Sequence, residues 1–268
     1  MKKKAFRPKK RFGQNFLHDK NIISKIISAI RPKPEQNIVE IGPGLGALTT
    51  ALLHLINNIE VIELDRELIP HLQKQCKNLG EIIIHQADAI NFDFNALAKT
   101  PVRIVGNLPY NVATPIIFNL LSHIDIIEDM HFMLQKEVAE RIASPHGSKA
   151  YGILSVLLQN WFKIEYCFTV NENVFYPPPK VKSAVVRLTR NDITELDCDE
   201  VLLFKVVKMV FNQRRKTIRN TLKSILPNIS QSDHPYFSKR PEQLSPTDFI
   251  ELTNVVSQMT SAQSSNTK

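Results

Sequence analysis

The chain has 268 residues and 43% hydrophobic residues, long enough for one large α/β domain with a small appendage and apolar enough for a substantial core. Its 34 Lys and Arg against 26 Asp and Glu give a formal charge of +8, with seven bases among the first eleven residues and seven more between Lys205 and Lys223, neither stretch holding an acid. With those patches set aside, 20 bases face 26 acids, so a mildly acidic body carries two cationic patches suited to a polyanion. Three cysteines at spacings that fit no zinc or redox motif exclude a disulfide framework and predict free thiols in a reducing compartment. No apolar run approaches membrane-spanning length and no apolar segment follows the basic N-terminus, so a cytoplasmic protein without membrane contact is expected.

In chain order, Lys9, Lys10 and Arg11 belong to the first basic cluster, expected to be a phosphate-attracting tail over residues 1–11. Ile22, Ile23, Ile26, Ile27 and Ile30 fall on one helical face. Short apolar runs then alternate with helix-length segments: strands are predicted over Asn37–Ile41, Glu60–Leu64, Glu81–His85, Val102–Asn107, Met130–Leu134, Ile164–Val170 and Ser183–Leu188. The first four read as βαβ units of a parallel sheet buried on both faces. Between the last two lies only Tyr176-Pro177-Pro178-Pro179, which predicts an antiparallel final pair and a seven-stranded, mostly parallel sheet. After Arg190 no strand-like run occurs. Helices are predicted over Asp199–Phe211 and Arg214–Leu226, and from the Ser245-Pro246 start to about Met259, with a disordered polar tail over 260–268. The expected domains are thus 1–190 and a helical 191–259.

The first strand runs into Gly42-Pro43-Gly44-Leu45-Gly46, where glycines permit a tight turn and close approach of backbone to a ligand. Glu63, 17 residues after Gly46, stands where an acid grips ribose hydroxyls. Nicotinamide-dinucleotide enzymes and S-adenosylmethionine enzymes share this arrangement, so it supports a nucleoside-containing cofactor without choosing between them. Asp88, after the third strand, is positioned to accept from an adenine amino group.

The fourth strand ends in Asn107-Leu108-Pro109-Tyr110. The lone pair of an adenine N6 is delocalised into the ring, which makes the amine a poor nucleophile. Two acceptors on its hydrogens, the Asn107 side-chain oxygen and the Leu108 carbonyl, favour a pyramidal nitrogen with its lone pair outward. Pro109 stiffens the turn, and Tyr110 offers a flat face to an unstacked base. Phe175 is the candidate for the opposite face. No His stands beside a nucleophile or ligand set, and no metal is expected.

These motifs, together with Arg11-Phe12-Gly13-Gln14-Asn15-Phe16-Leu17 and the segment from Phe175 through Val181 to Ser183, resemble the ribosomal RNA adenine N6,N6-dimethyltransferases of the kasugamycin-sensitivity type. The resemblance covers about Lys9 to Val256. It implies a Rossmann-like class I methyltransferase domain with a small C-terminal all-helical domain. It implies S-adenosylmethionine held at Asn15, Leu17, Gly42, Gly44, Glu63, Asp88 and Asn107, with chemistry at Asn107, Leu108, Pro109, Tyr110 and Phe175. The implied substrate is the 3′-terminal hairpin of 16S ribosomal RNA in the small subunit or its precursor, where two adjacent adenines are dimethylated late in subunit assembly. A monomer is the default expectation for the chain itself. A sister group that modifies large-subunit RNA shares the N-terminal and Asn-x-Pro-aromatic motifs. Phe211 to Asn220 and Arg240 to Ser245 look like the small-subunit enzymes. Lys9, Lys10, Arg11, Arg214, Arg215, Lys216 and Arg219 are the expected RNA contacts, through phosphates more than bases. Three competing readings are a subunit-assembly checkpoint with methylation secondary, a DNA adenine N6-methyltransferase, and a hydride-transfer enzyme. Leu108 in place of a proline and the lack of a target-recognition domain argue against the DNA enzyme.

Overall fold

The structure is a computed structural model that describes residues 8–9, 13–226, 229–230 and 232–265, with side chains to 261. The chain divides into two compact units: one of residues up to 139 with 164–190, the other of 140–163 with 191 onward.

The first unit is built on a seven-stranded sheet. Its strands are β2 (Ile38–Ile41), β3 (Asn58–Ile62), β4 (Glu81–His85), β5 (Val102–Asn107), β6 (Ile127–Gln135), β7 (Phe162–Val170) and β9 (Ser183–Arg190), arranged in space as β4-β3-β2-β5-β6-β9-β7. The pairs from β4 through β6 are parallel, and β9 runs antiparallel to β6, pairing Met133 with Val185 and Gln135 with Ser183. This is the expected sheet with one reversed strand. The first apolar run begins one residue later than expected, and the second is displaced: β3 stops at Ile62, leaving Glu63 and Leu64 beyond the strand.

All four residues of β2 are buried, as a central strand covered on both faces requires. Helix α1 (Lys20–Ile30) starts at Asp19, whose carboxylate accepts from the backbone of Asn21 and Ile22, and buries Ile26 and Ile30. Together with α2 (Ala47–Leu53) and α3 (Ile69–Cys76), it surrounds a core that includes Ile38, Leu52, Ile59, Val61, Leu72, Val105, Phe175 and Val185. Helix α4 (Ala113–Leu121) follows β5 and buries Ile116, Ile117 and Leu120. Arg103 on β5 is buried with Asp129 on β6. Its Nε and Nη2 donate to Oδ1 and Oδ2 of Asp129 at 3.0 and 2.7 Å, and Nη2 also donates to the Ile30 carbonyl at 2.6 Å. A second, two-stranded sheet, not foreseen from sequence, pairs β1 (Phe16–Leu17) antiparallel with β8 (Phe175–Tyr176).

The second unit contains α6 (Ile153–Gln159), α7 (Glu200–Asn212), α8 (Ile218–Leu222) and α9 (Pro246–Ser265); α5 (Lys136–Ala143) carries the chain across the division. Three expectations are corrected by the structure. The segment 140–163 belongs with the C-terminal helices rather than with the sheet: Tyr151 is fully buried with its ring 6.0 Å from that of Phe211, and Arg214 Nη2 donates to the Ser148 carbonyl. The last helix passes Met259 and runs to Ser265, with the Thr260 and Ser261 hydroxyls bonding back to carbonyls one turn earlier, so the described part of the expected tail is helical. The helix expected from Arg214 begins at Ile218 instead, because residues 213–216 form a turn. Among the described residues no helix is long and apolar enough to cross a membrane.

Candidate active site

In the sheet, β2 lies between β3 on one side and β5 on the other, so the chain reverses its direction of progression there. The loops beyond the carboxyl ends of strands at such a point leave a crevice. Here they enclose a cavity of about 340 Å³, lined by residues 13–17, 40–45, 47–48, 62–64, 87–90 and 107–112 among others. Two glycines permit this closeness. Gly44 has φ +59° and lies against the Phe16 ring, which a Cβ would approach to 3.1 Å. A Cβ on Gly106 would sit 2.7 Å from the Ile41 carbonyl, so only glycine lets β5 end beside β2.

The acids on the β2 and β3 side are each held by hydrogen bonds, Glu63 from the main chain and Glu40 from a side chain. Glu63 accepts from Asp65 N at 2.8 Å and Gly44 N at 3.1 Å, which ties the glycine loop to the end of β3. Burial raises the Glu63 pKa, and the backbone donors oppose that rise. Glu40, fully buried on β2, accepts from the Thr49 hydroxyl at 2.6 Å. Burial lifts its pKa to about 7, against the Thr49 bond and with a contribution from Glu63. Asp88 caps its own loop by accepting from Ile90 N at 3.0 Å and faces the same cavity.

The Asn-Leu-Pro-Tyr segment forms the opposite wall. Leu108 is fully buried and donates its N–H to the Met133 carbonyl at 3.2 Å, which anchors the turn to β6. The Pro109 carbonyl accepts from Val112 and Ala113 and opens α4. Asn107 Nδ2 donates to the Asn15 carbonyl at 3.0 Å. That bond commits the amide nitrogen and leaves Oδ1 as the acceptor presented by the side chain. Among the described residues neither Asn107 Oδ1 nor the Leu108 carbonyl accepts a hydrogen bond. Tyr110 is oriented by a bond from its hydroxyl to Ser183 on β9, and burial raises its pKa.

The N-terminal segment closes one side. Lys9 Nζ donates to Asp65 Oδ1 at 2.8 Å and contacts Glu67 at 2.9 Å; Gln14 Nε2 donates to Asp65 Oδ2 at 3.0 Å, and Lys9 N donates to Gln14 Oε1. Burial works to raise the Asp65 pKa, but the Lys9 and Gln14 bonds outweigh it and hold this carboxyl below its ordinary range.

The cavity thus gathers Asn15, Leu17, Gly42, Gly44, Glu63, Asp88, Asn107, Leu108, Pro109 and Tyr110. Phe175 is the correction. It is 2% exposed, pairs with Leu17 and packs in the core, and is not among the cavity residues. Strand alternation explains this: with Phe175 turned inward, Tyr176 must turn outward. The basic residues also sort differently from expectation. Lys9 is committed to Asp65 and Glu67. Arg214 bonds to Ser148 and pairs with Glu242 at 3.7 Å, and Arg219 donates to the Ile229 and Ser232 carbonyls over the Phe237 ring. Arg215 and Lys216 are exposed, and Lys10 and Arg11 lie outside the described residues. Asp65 and Gln14 were missed from sequence. An acid two residues after Glu63 was visible, but nothing in one dimension pairs it with residue 14.

A parallel sheet with one reversed strand, a glycine turn, an acid after each of the next two strands and Asn-Leu-Pro-Tyr after the fourth define a Rossmann-like methyltransferase. The sequence matches the family described as Ribosomal RNA adenine dimethylase over residues 5–258. The chain is 49% identical over 257 residues to Ribosomal RNA small subunit methyltransferase A of Pseudomonas savastanoi pv. phaseolicola, covering 94% of this chain and 96% of that one. It is 48% identical over 255 residues to the protein of the same name from Bacteroides thetaiotaomicron, covering 94% and 95%. Among solved structures, a dimethyladenosine transferase from Plasmodium falciparum superposes with a TM-score of 0.78 at 26% identity over 91% of this chain and 98% of that one. The 23S rRNA methyltransferase ErmE shares the fold, with a TM-score of 0.69 at 23% identity over 91% and 100%. The chain belongs to the ribosomal RNA adenine dimethylase family.

Proposed function

We propose that this protein transfers methyl groups from S-adenosylmethionine to N6 of two adjacent adenines in the 3′-terminal hairpin of 16S ribosomal RNA, giving N6,N6-dimethyladenosines during late assembly of the small subunit. The observation that carries the reading is the pair of uncommitted acceptors, Asn107 Oδ1 and the Leu108 carbonyl, on the wall of a cavity whose other wall is an acid-and-glycine nucleoside cradle. The names of the bacterial relatives support the small-subunit substrate.

The cradle fits the cofactor. Glycines at positive φ clear the floor, Glu63 and Asp88 supply acceptors for ribose hydroxyls and an adenine amine, and Asn15 and Leu17 close the side. When bound, S-adenosylmethionine supplies an electrophilic methyl on a sulfonium. The protein's part is positioning. Asn107 Oδ1 and the Leu108 carbonyl take the two amino hydrogens of a flipped adenine and direct its lone pair outward, and Tyr110 supplies a stacking face. After methylation the nitrogen is cationic. The same acceptors stabilise it until its proton leaves to water, so no strong base is needed. Phe175 serves through β1: its pairing with Leu17 fixes the strand that follows Asn15, the residue that orients Asn107. Phosphate contacts fall to the exposed Arg215 and Lys216 and to the N-terminal cluster. The protein acts as a cytoplasmic monomer.

The test offers labelled S-adenosylmethionine with under-methylated small subunits and, separately, with duplex DNA, and maps the modified bases. Label on two adjacent adenines near the 3′ end of the small-subunit RNA is expected. Label on DNA alone, or none on RNA, would overturn the proposal.

A further inference from the structure

Phe16 and Tyr176 are direct partners across β1 and β8, and Leu17 and Phe175 are the next pair. Residues directly opposite each other in an antiparallel pair point to the same face. The Leu17 and Phe175 face is buried in the core, so the other face carries Phe16 and Tyr176. Phe16 lies at the cavity, with its ring against Gly44. Tyr176 stands beside it and is 62% exposed, so it is an aromatic side chain at the rim with most of its surface in solvent. The segment that follows is exposed at Pro177, Pro178, Lys180, Val181 and Lys182, and ends at Ser183, which holds the Tyr110 hydroxyl. Neither Lys180 nor Lys182 has an ion-pair partner among the described residues. Pro177, Pro178 and Pro179 restrict the backbone directly after Tyr176, so little ordering entropy is lost on contact.

An exposed aromatic followed within six residues by two exposed cations is a combination that single-stranded nucleic acid binds, by stacking on the ring and by phosphate contact. We propose that Tyr176, with Lys180 and Lys182, is a stacking platform for an unpaired nucleotide flanking the target adenine. The surface is distinct from the Asn107–Tyr110 wall that takes the target itself. The inference rests on the RNA-methyltransferase reading and adds a substrate contact to it. It also explains the inward placement of Phe175: this segment offers RNA its second aromatic, not its first. Because a ring stacks on every base, the platform contributes affinity and placement rather than base selectivity.

The experiment compares wild type with Tyr176→Ala, Tyr176→Phe and the double variant Lys180→Gln/Lys182→Gln. Two readouts are taken on under-methylated small subunits: equilibrium binding, which needs no chemistry, and label transfer resolved into kcat and KM. Loss of one base stack predicts roughly tenfold weaker binding and a matching rise in KM for Tyr176→Ala. The expected kcat is within about twofold, cofactor affinity is unaltered, and Tyr176→Phe is close to wild type. The lysine pair should show a shallower salt dependence of binding. Wild-type binding and KM in Tyr176→Ala would overturn the platform, as would a fall in kcat at unchanged KM, which would place Tyr176 at the chemistry. A wild-type protein that binds subunits, loses that binding in Tyr176→Ala and transfers no label would keep the platform and remove the proposed reaction.

Discussion

Asn107 is held in one of its two amide orientations by a single bond to the Asn15 carbonyl. In the proposed mechanism Asn107→Ala removes an acceptor that acts on developing charge, so kcat should fall by about 100-fold or more with subunit binding intact. Single-turnover label transfer alongside a binding isotherm checks this, and unchanged transfer would remove Asn107 from the mechanism. Glu40 makes the opposite kind of demand. Its pKa is raised from 4.5 to about 7 by burial, so its contribution to stability is full below pH 4.5 and is lost as pH rises through 7. Glu40→Gln keeps an acceptor for the Thr49 hydroxyl without the charge. The variant should be more stable than wild type at pH 8, by on the order of 3 kcal/mol, with the difference closing near pH 5. Chemical denaturation at the two pH values decides it; equal gaps at both would show that Glu40 is not the titrating group. Arg103 is different again, since removing it strands a buried Asp129 carboxylate. Arg103→Leu should cost about 3–5 kcal/mol, read from the same denaturation curves.

At the scale of elements, the two-stranded sheet and the segment before it form one strap. Asp65 holds Lys9 and Gln14, Gln14 precedes Asn15, and Asn15 orients Asn107, so the end of β3 is linked mechanically to the end of β5. Asp65→Ala should loosen residues 13–17, raising their amide exchange and weakening cofactor binding by roughly tenfold while the melting temperature moves little. Unaltered exchange there would dissolve the link. This strap marks where the sequence stops being legible. Buried parallel strands announce themselves as apolar runs, and all seven sheet strands could be read that way. Gly42, Glu63 and Asp88 are legible because each closely follows a strand, and Asn107 because it ends one. Two-residue strands carry no periodicity, so β1 and β8 leave no trace. For the same reason the facing of Phe175 against Tyr176 could not be read from two adjacent aromatics. Arg214 to Leu226 has helix-forming composition, yet Arg214 is drawn to Ser148 and the chain turns before α8 begins.

Across the whole molecule, the net charge of +8 overstates the cations available to RNA. Arg219 and Arg214 spend their donors on carbonyls within the second unit, whereas Arg215 and Lys216 face solvent. Arg215→Ala/Lys216→Ala should therefore lower the slope of log K against log salt by about 1.5, with unaltered stability. Arg219→Ala should lower the melting temperature first; a pure change in salt slope for that variant would contradict its internal role.

The chain leaves the sheet unit within α5, returns within β7 and leaves again after Arg190. The helical unit is therefore woven from an insertion and a tail, and neither piece is a cassette. A fragment ending at Arg190 would retain Tyr151 and Leu154 without the C-terminal helices that bury them, and should aggregate rather than yield a minimal enzyme. A grafted C-terminal tail from a distant relative would likewise have to match a foreign insertion. Recombination within such a chain works only if both crossovers travel together, which confines exchange of the C-terminal helices to whole-gene replacement or to gradual substitution.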